Sequence, residues 1–278
     1  MNEVFHPGIK VYFFDLDGCI YLGNKLALGV KSLLHELDRN HIQYSFITNN
    51  SRQTAREIAE KLKNFGLDVA ATKIIPVTDV IGKYLKEKFG TVSVKTVGSA
   101  NLNYAIAIEG HRIIPLEDKE KTDVIVVGRD VDFTYEKLQK ISEEVGRGSL
   151  VIGTNSDLYH PGEGGKKIPE TGAIIAAIQA VTGTTIEYIG KPEPYLFLHG
   201  LRMYGTKPDS CVMIGDNLDT DILGGRRVGM KTVWVTNNVN KELSHQYSDL
   251  TVRSIYDLYE MILKPQKKQK EHFKGGDC

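Results

Sequence analysis

Two carboxylates stand two residues apart at the end of an apolar run. The run is KVYFFDLDGCIYLG, residues 10 to 23, and the acids are Asp15 and Asp17. Residues i and i+2 of a strand face the same side. A strand over Val11–Leu16 therefore predicts that both acids share one site at its carboxyl end, where open α/β sheets bind ligands. Gly18 lets the chain turn sharply there. One acid of such a pair can attack an electrophile while the other manages a proton.

Three more stretches carry polar chemistry at the end of an apolar segment. FITNNS, residues 46 to 51, ends in Thr48, Asn49 and Asn50. Such residues suit a turn, and a hydroxyl beside backbone N–H groups also suits phosphate oxygens. YIGKPEPYLF, residues 188 to 197, offers Lys191 after a glycine, with Pro192 and Pro194 stiffening the turn. CVMIGDNLDTDI, residues 211 to 222, ends in Gly215 and Asp216, followed by Asp219 and Asp221. Acids there also complement a helix dipole. Each stretch alone reads as an ordinary turn or solvated loop. Together they place an acid pair, a hydroxyl, a lysine and further acid at one edge of a sheet.

The elements that must position these residues alternate between strands and helices, the pattern of a parallel α/β sheet. Strands are predicted at Val11–Leu16, Gln43–Thr48, Val92–Val97, Val124–Val127, Leu150–Gly153, Ile186–Ile189, Cys211–Ile214 and Thr232–Val235. Their near-continuous apolar content fits burial on both faces. After Thr54, residues Ala55, Ile58, Ala59, Leu62 and Phe65 recur at helical spacing, with Thr54 and Glu57 set for a capping box. Thr171–Val181 and Ser254–Leu263 read as further helices, and the basic tail 265–278 as disordered.

The 278 residues carry 35 basic and 35 acidic side chains, so no net field points to nucleic acid or an anionic membrane. No apolar stretch reaches the roughly 18 residues of a spanning helix. The opening residues, with Glu3, His6 and Pro7, do not read as a signal peptide. Cys19, Cys211 and Cys278 match no zinc spacing and fit free thiols in a reducing cytoplasm. GRRVG and GSANLN do not make the GxGxxG of a dinucleotide site.

The strings FFDLDGCIYLG, FITNNSRQT, GTNSDLYHPG, IGKPEPYLF and MIGDNLDTDI resemble the haloacid dehalogenase-like (HAD) hydrolase superfamily. They are closest to its subfamily IIA, the NagD-like, p-nitrophenylphosphatase and phosphoglycolate phosphatase branch. The resemblance implies a Rossmann-like parallel-sheet core with an inserted α/β cap. More than 130 residues separate FITNNS from IGKP and carry their own strands and helices, which places a second domain at about 89–185 and the core at 1–88 and 186–264. The resemblance implies a phosphatase acting on small phosphorylated metabolites such as sugar phosphates, phosphoglycolate, nucleotides or pyridoxal phosphate. Asp15 would be the nucleophile, and Asp17 would protonate the leaving alcohol and then activate water. Thr48 and Asn49 would bind phosphoryl oxygens, and Lys191 would neutralise their charge. Mg²⁺ would be held by Asp15, the Asp17 carbonyl and Asp216, with Asp221 supporting. The cap loop GTNSDLYHPGEGG would offer Asn155, Asp157 and His160 to the leaving group. The resemblance also allows a homodimer through the cap.

Phosphate monoesters need such help: their unaided hydrolysis is among the slowest of reactions, accelerated by enzymes up to ~10²¹-fold. Dehalogenation on this fold needs no proton donor, which Asp17 speaks against. A phosphomutase of the superfamily carries its cap after the first motif. A silent phosphometabolite-binding protein would have no need for the complete acid pair, Lys191 and Asp216.

Overall fold

The structure, a computed structural model, describes residues 8–161, 166–236 and 247–262. The tail 265–278, with Cys278, lies outside them, as do residues 162–165 of the cap loop. In chain order the strands are β1 (Val11–Phe14), β2 (Tyr21–Leu22), β3 (Lys25–Leu26), β4 (Gln43–Thr48), β5 (Ile74–Pro76), β6 (Ser93–Val97), β7 (Arg112–Ile113) and β8 (Val124–Val127). They continue with β9 (Leu150–Gly153), β10 (Tyr159–Pro161), β11 (Lys167–Pro169), β12 (Glu187–Tyr188), β13 (Cys211–Gly215), β14 (Lys231–Val235) and β15 (Leu250–Val252). The chain forms two compact units, Met1–Phe46 with Gly200–Cys278, and Ile47–His199.

In the first unit the strands line up β15-β14-β13-β1-β4. Every neighbouring pair is parallel. All four residues of β1 and all five of β13 are buried, as strands covered on both faces must be. Phe14 packs against Phe46, with ring centroids 6.1 Å apart, and Phe13 meets Tyr204 edge-on at 5.9 Å. The chain leaves β1 toward β4 on one side, while β13 lies on the other. The direction of winding therefore reverses between β1 and β13, and such a switch point opens a crevice at the carboxyl ends of the strands. The final helix begins after Ser254 and spans residues 255–262.

The second unit has its own five-stranded parallel sheet, ordered β12-β9-β8-β6-β7. Val97, Ile125, Val127, Ile141, Ile175 and Ile178 form its core. Within the sheet Lys95 is fully buried. Its ammonium donates to the Asp118 carbonyl at 2.7 Å and pairs with Glu144 at 3.0 Å. The helix Ala55–Asn64 begins on the expected capping box of Thr54 and Glu57. Thr171–Thr182 forms the later helix, closed by left-handed Gly183.

Two expectations need correction. The strand expected over Val11–Leu16 stops at Phe14, so Asp15 and Asp17 are not alternate residues on one strand face. The backbone curls instead: the N–H groups of Ile20 and Tyr21 both donate to the Leu16 carbonyl, and Gly18 sits at φ +91°. The four polar strand ends also do not share one sheet. The strand before Lys191 shortens from Ile186–Ile189 to β12 and pairs with β9 in the second sheet.

Candidate active site

The first unit gathers its carboxylates at the switch point. Phe14 and Ile214 are register partners, and the Asp15 N–H extends that ladder by donating to the Ile214 carbonyl at 2.8 Å. Residues 200 apart in sequence thus leave neighbouring strand ends together. Carboxylate oxygens of Asp15, Asp216 and Asp221 lie within 4.8 Å of one another. Asp15 and Asp221 are buried, while Asp216 is partly exposed.

Two glycines make room for this cluster. A Cβ on Gly18 would overlap the Asp216 carboxylate, and one on Gly215 would overlap that of Asp221. Hydrogen bonds fix the acids: Trp234 Nε1 donates to the Asp216 carbonyl at 2.9 Å, and the Asn217 N–H to Asp221 Oδ2 at 3.2 Å. Asp221 was expected behind the ligand group, but its carboxylate stands in the cluster itself. Three like charges this close repel unless a cation or protons offset them. An all-oxygen donor set with room kept open by two glycines fits a hard divalent ion such as Mg²⁺.

Asp17 is exposed and is not among the clustered side chains. The buried Tyr21 hydroxyl donates to its Oδ2 at 2.7 Å. Burial, and then the Asp17 carboxylate, push the Tyr21 pKa far above its ordinary value, so this hydroxyl keeps its proton and acts as a donor. The sequence reading missed Tyr21 and its hairpin of β2 and β3. Its signal was the Gly23-Asn24 pair between two-residue strands, a hairpin turn with left-handed Gly23.

The motif residues of the second unit are held around Asn49. Its side chain brackets the backbone of Lys191, accepting from the N–H at 2.8 Å and donating to the carbonyl at 2.9 Å. The same amide donates to Asp157 Oδ2 at 3.0 Å. Gly190 is required beside it, because a Cβ there would collide with Asn49 Oδ1 and the Thr154 carbonyl. Thr48 is buried, and its Oγ1 accepts from the Asn50 N–H at 3.2 Å, a bond that does not use its O–H donor. Asn49 was expected to help at phosphate through nearby backbone donors; its side chain has the separate task of holding Lys191.

Asn155 departs further from expectation. It is 1% exposed; its amide nitrogen donates to the Asn49 carbonyl at 2.8 Å and to Thr171 Oγ1 at 3.4 Å. Its oxygen accepts from the Asp157 N–H at 3.1 Å. A side chain so buried and so fully bonded fixes the loop rather than meeting a leaving group. His160, on the β10–β11 hairpin, has Nδ1 2.7 Å from Glu170 Oε1, which also takes Arg129 at 3.1 Å. Burial outweighs the opposing pull of Arg129 and His160 and raises the Glu170 pKa.

Comparison with known proteins gives the family. A family model described as haloacid dehalogenase-like hydrolase matches residues 12–111, and a HAD-hydrolase-like model matches 188–258. An acid sugar phosphatase of Staphylococcus aureus is 32% identical over 259 residues, covering 93% of this chain and 98% of the relative. The chain belongs to the HAD-like hydrolases, in subfamily IIA. Among solved HAD structures, a 4-nitrophenylphosphatase from Thermotoga maritima aligns with a TM-score of 0.84 at 28% identity, over 92% of this chain and 98% of its own. A p-nitrophenyl phosphatase from Archaeoglobus fulgidus gives 0.81 at 27% identity, over 92% and 100%.

Proposed function

We propose that this HAD-type phosphatase hydrolyses small phosphate monoesters with Mg²⁺ and an aspartyl-phosphate on Asp15. The observation that carries the reading is the meeting of Asp15, Asp216 and Asp221 at the switch point. Those carboxylates, with the Asp17 carbonyl, are the groups assigned to hold the ion. When bound, Mg²⁺ supplies positive charge that offsets the repulsion between a phosphate dianion and an attacking carboxylate.

The rest falls to the chain's own residues. Asp15 attacks phosphorus and splits one hard displacement into two easier ones. Asp17 gives its proton to the departing alkoxide oxygen, then takes one from the water that hydrolyses the aspartyl-phosphate. Thr48 and Lys191 are assigned to the phosphoryl oxygens on their motifs, as hydroxyl donor and cation. Asn49 positions Lys191 through the backbone bracket. Asp157 and His160 are assigned to leaving-group recognition. The relative named for sugar phosphates supports placing that class first in a substrate panel, ahead of phosphoglycolate, nucleotides and pyridoxal phosphate.

The test combines turnover with chemical trapping. Wild-type protein assayed with p-nitrophenyl phosphate is expected to need Mg²⁺, and acid-quenched protein to carry phosphate on the peptide containing Asp15. Asp15→Asn is expected to abolish both while melting normally. Phosphate found on another residue, or turnover by Asp15→Asn with reversion to Asp excluded, overturns the nucleophile.

A further inference from the structure

Asp17 sits on a glycine-containing turn after the strand has ended, and it is exposed. An exposed carboxylate on a turn samples several rotamers, and each non-productive one lowers the fraction of time a proton is aimed at the leaving oxygen. The structure contains a device that limits this freedom. Asp17 and Tyr21 form an isolated backbone bridge, and the Gly18 N–H donates to the Tyr21 carbonyl at 2.9 Å. Tyr21 is 2% exposed, so its ring is locked by packing, and its hydroxyl reaches Asp17 Oδ2 at 2.7 Å.

We propose that Tyr21 is a positioning residue for proton transfer, its O–H holding Asp17 Oδ2 so that Oδ1 carries the proton to and from the substrate. The β2–β3 hairpin then has a task beyond closing a turn: Tyr21 pairs with Leu26 across it, which sets the ring's register against Asp17. This inference rests on the phosphatase reading and deepens it. The proton balance is simple. Oδ1–H breaks as the leaving oxygen gains hydrogen and loses phosphorus, and Oδ1 regains a proton from water in the second step. Tyr21 keeps its own proton throughout.

The experiment is a leaving-group series of aryl phosphates, from p-nitrophenyl to p-methoxyphenyl, assayed with Tyr21→Phe, Asp17→Asn and the double variant. Tyr21→Phe keeps the ring and removes one hydrogen-bonding atom. Its kcat is expected to fall within about threefold for p-nitrophenyl phosphate and roughly tenfold or more for p-methoxyphenyl phosphate, below the ~10²–10⁴ of complete loss of the acid. KM should stay within about twofold, since uniform binding is untouched. On the Asp17→Asn background, adding Tyr21→Phe should change kcat little, because residues acting as one unit are not additive. A Tyr21→Phe loss uniform across the series, or additive with Asp17→Asn, would overturn the positioning role. If Asp17→Asn itself loses rate uniformly, the acid assignment fails beneath it. If Asp17→Asn shows the leaving-group dependence and Tyr21→Phe does not, only the Tyr21 inference falls.

Discussion

At the scale of single residues, the cluster depends on atoms that are missing as much as on those present. Gly18 combines φ +91° with a site in which any Cβ would overlap the Asp216 carboxylate. Gly18→Ala adds left-handed strain of about 1–2 kcal/mol and pushes Asp216 aside. The expected outcome is a Mg²⁺ affinity at least about tenfold weaker, read by calorimetric titration. Asn49→Ala removes the bracket on Lys191 and is expected to lower kcat by at least an order of magnitude with the metal affinity intact, which separates it from Gly18→Ala. The approach of Asp15 to Asp216 was legible in the sequence because each follows an apolar strand. Asn155 was misread: its type and loop fit substrate contact, and only three-dimensional packing shows its amide bonded at every atom.

At the scale of elements, the long strands and the helix capped by Thr54 were read well, while the helices capped by Ser99 and Thr134 were not named. Gln43–Thr48, Val124–Val127 and Leu150–Gly153 lie where apolar continuity placed them. Two- and three-residue strands such as β2, β3, β7 and β15 were missed, because so few residues carry no period. Sheet membership was also hidden. β12 looks like the other strands before a polar motif, and only its pairing with β9 assigns it elsewhere. The buried pair of Lys95 and Glu144 belongs to this scale, since it ties β6 to the helix Tyr135–Gly146. Lys95→Ala leaves Glu144 buried without its ammonium partner and is expected to cost about 3–5 kcal/mol in denaturant unfolding. Burial works to raise the Glu144 pKa, but hydrogen bonds from Lys95 and the Thr122 N–H prevail and hold it below 4.5. A carboxyl depressed by folding stabilises above its unfolded pKa and loses that contribution as pH falls through the folded value. Melting temperature should therefore fall more steeply in wild type than in Glu144→Gln as pH is lowered below 4.5.

At the scale of the whole molecule, the charge balance is even while three carboxylates are concentrated in one place. Folding alone must hold them together against repulsion. A ligand that binds only the folded chain stabilises it by mass action, about 2.7 kcal/mol at a hundredfold excess over Kd. Mg²⁺ is expected to raise the melting temperature by several degrees, and Asp216→Asn to abolish that shift while leaving the chain folded. A shift that persists in Asp216→Asn would remove the cluster as the ion's seat. Among the described residues no helix is long and apolar enough to cross a membrane.

The amide of Asn49 has no working substitute of the same shape. It is an acceptor toward one peptide and a donor toward both a carbonyl and the Asp157 carboxylate. Asn49→Asp would preserve its shape almost atom for atom, yet it would replace the donor nitrogen with an anion facing a second anion. A change of a single mass unit, invisible in size and fold, would therefore turn the joint at Lys191 from attraction to repulsion. Asn49→Asp should lose activity in assay although it exchanges one atom for another of nearly the same size.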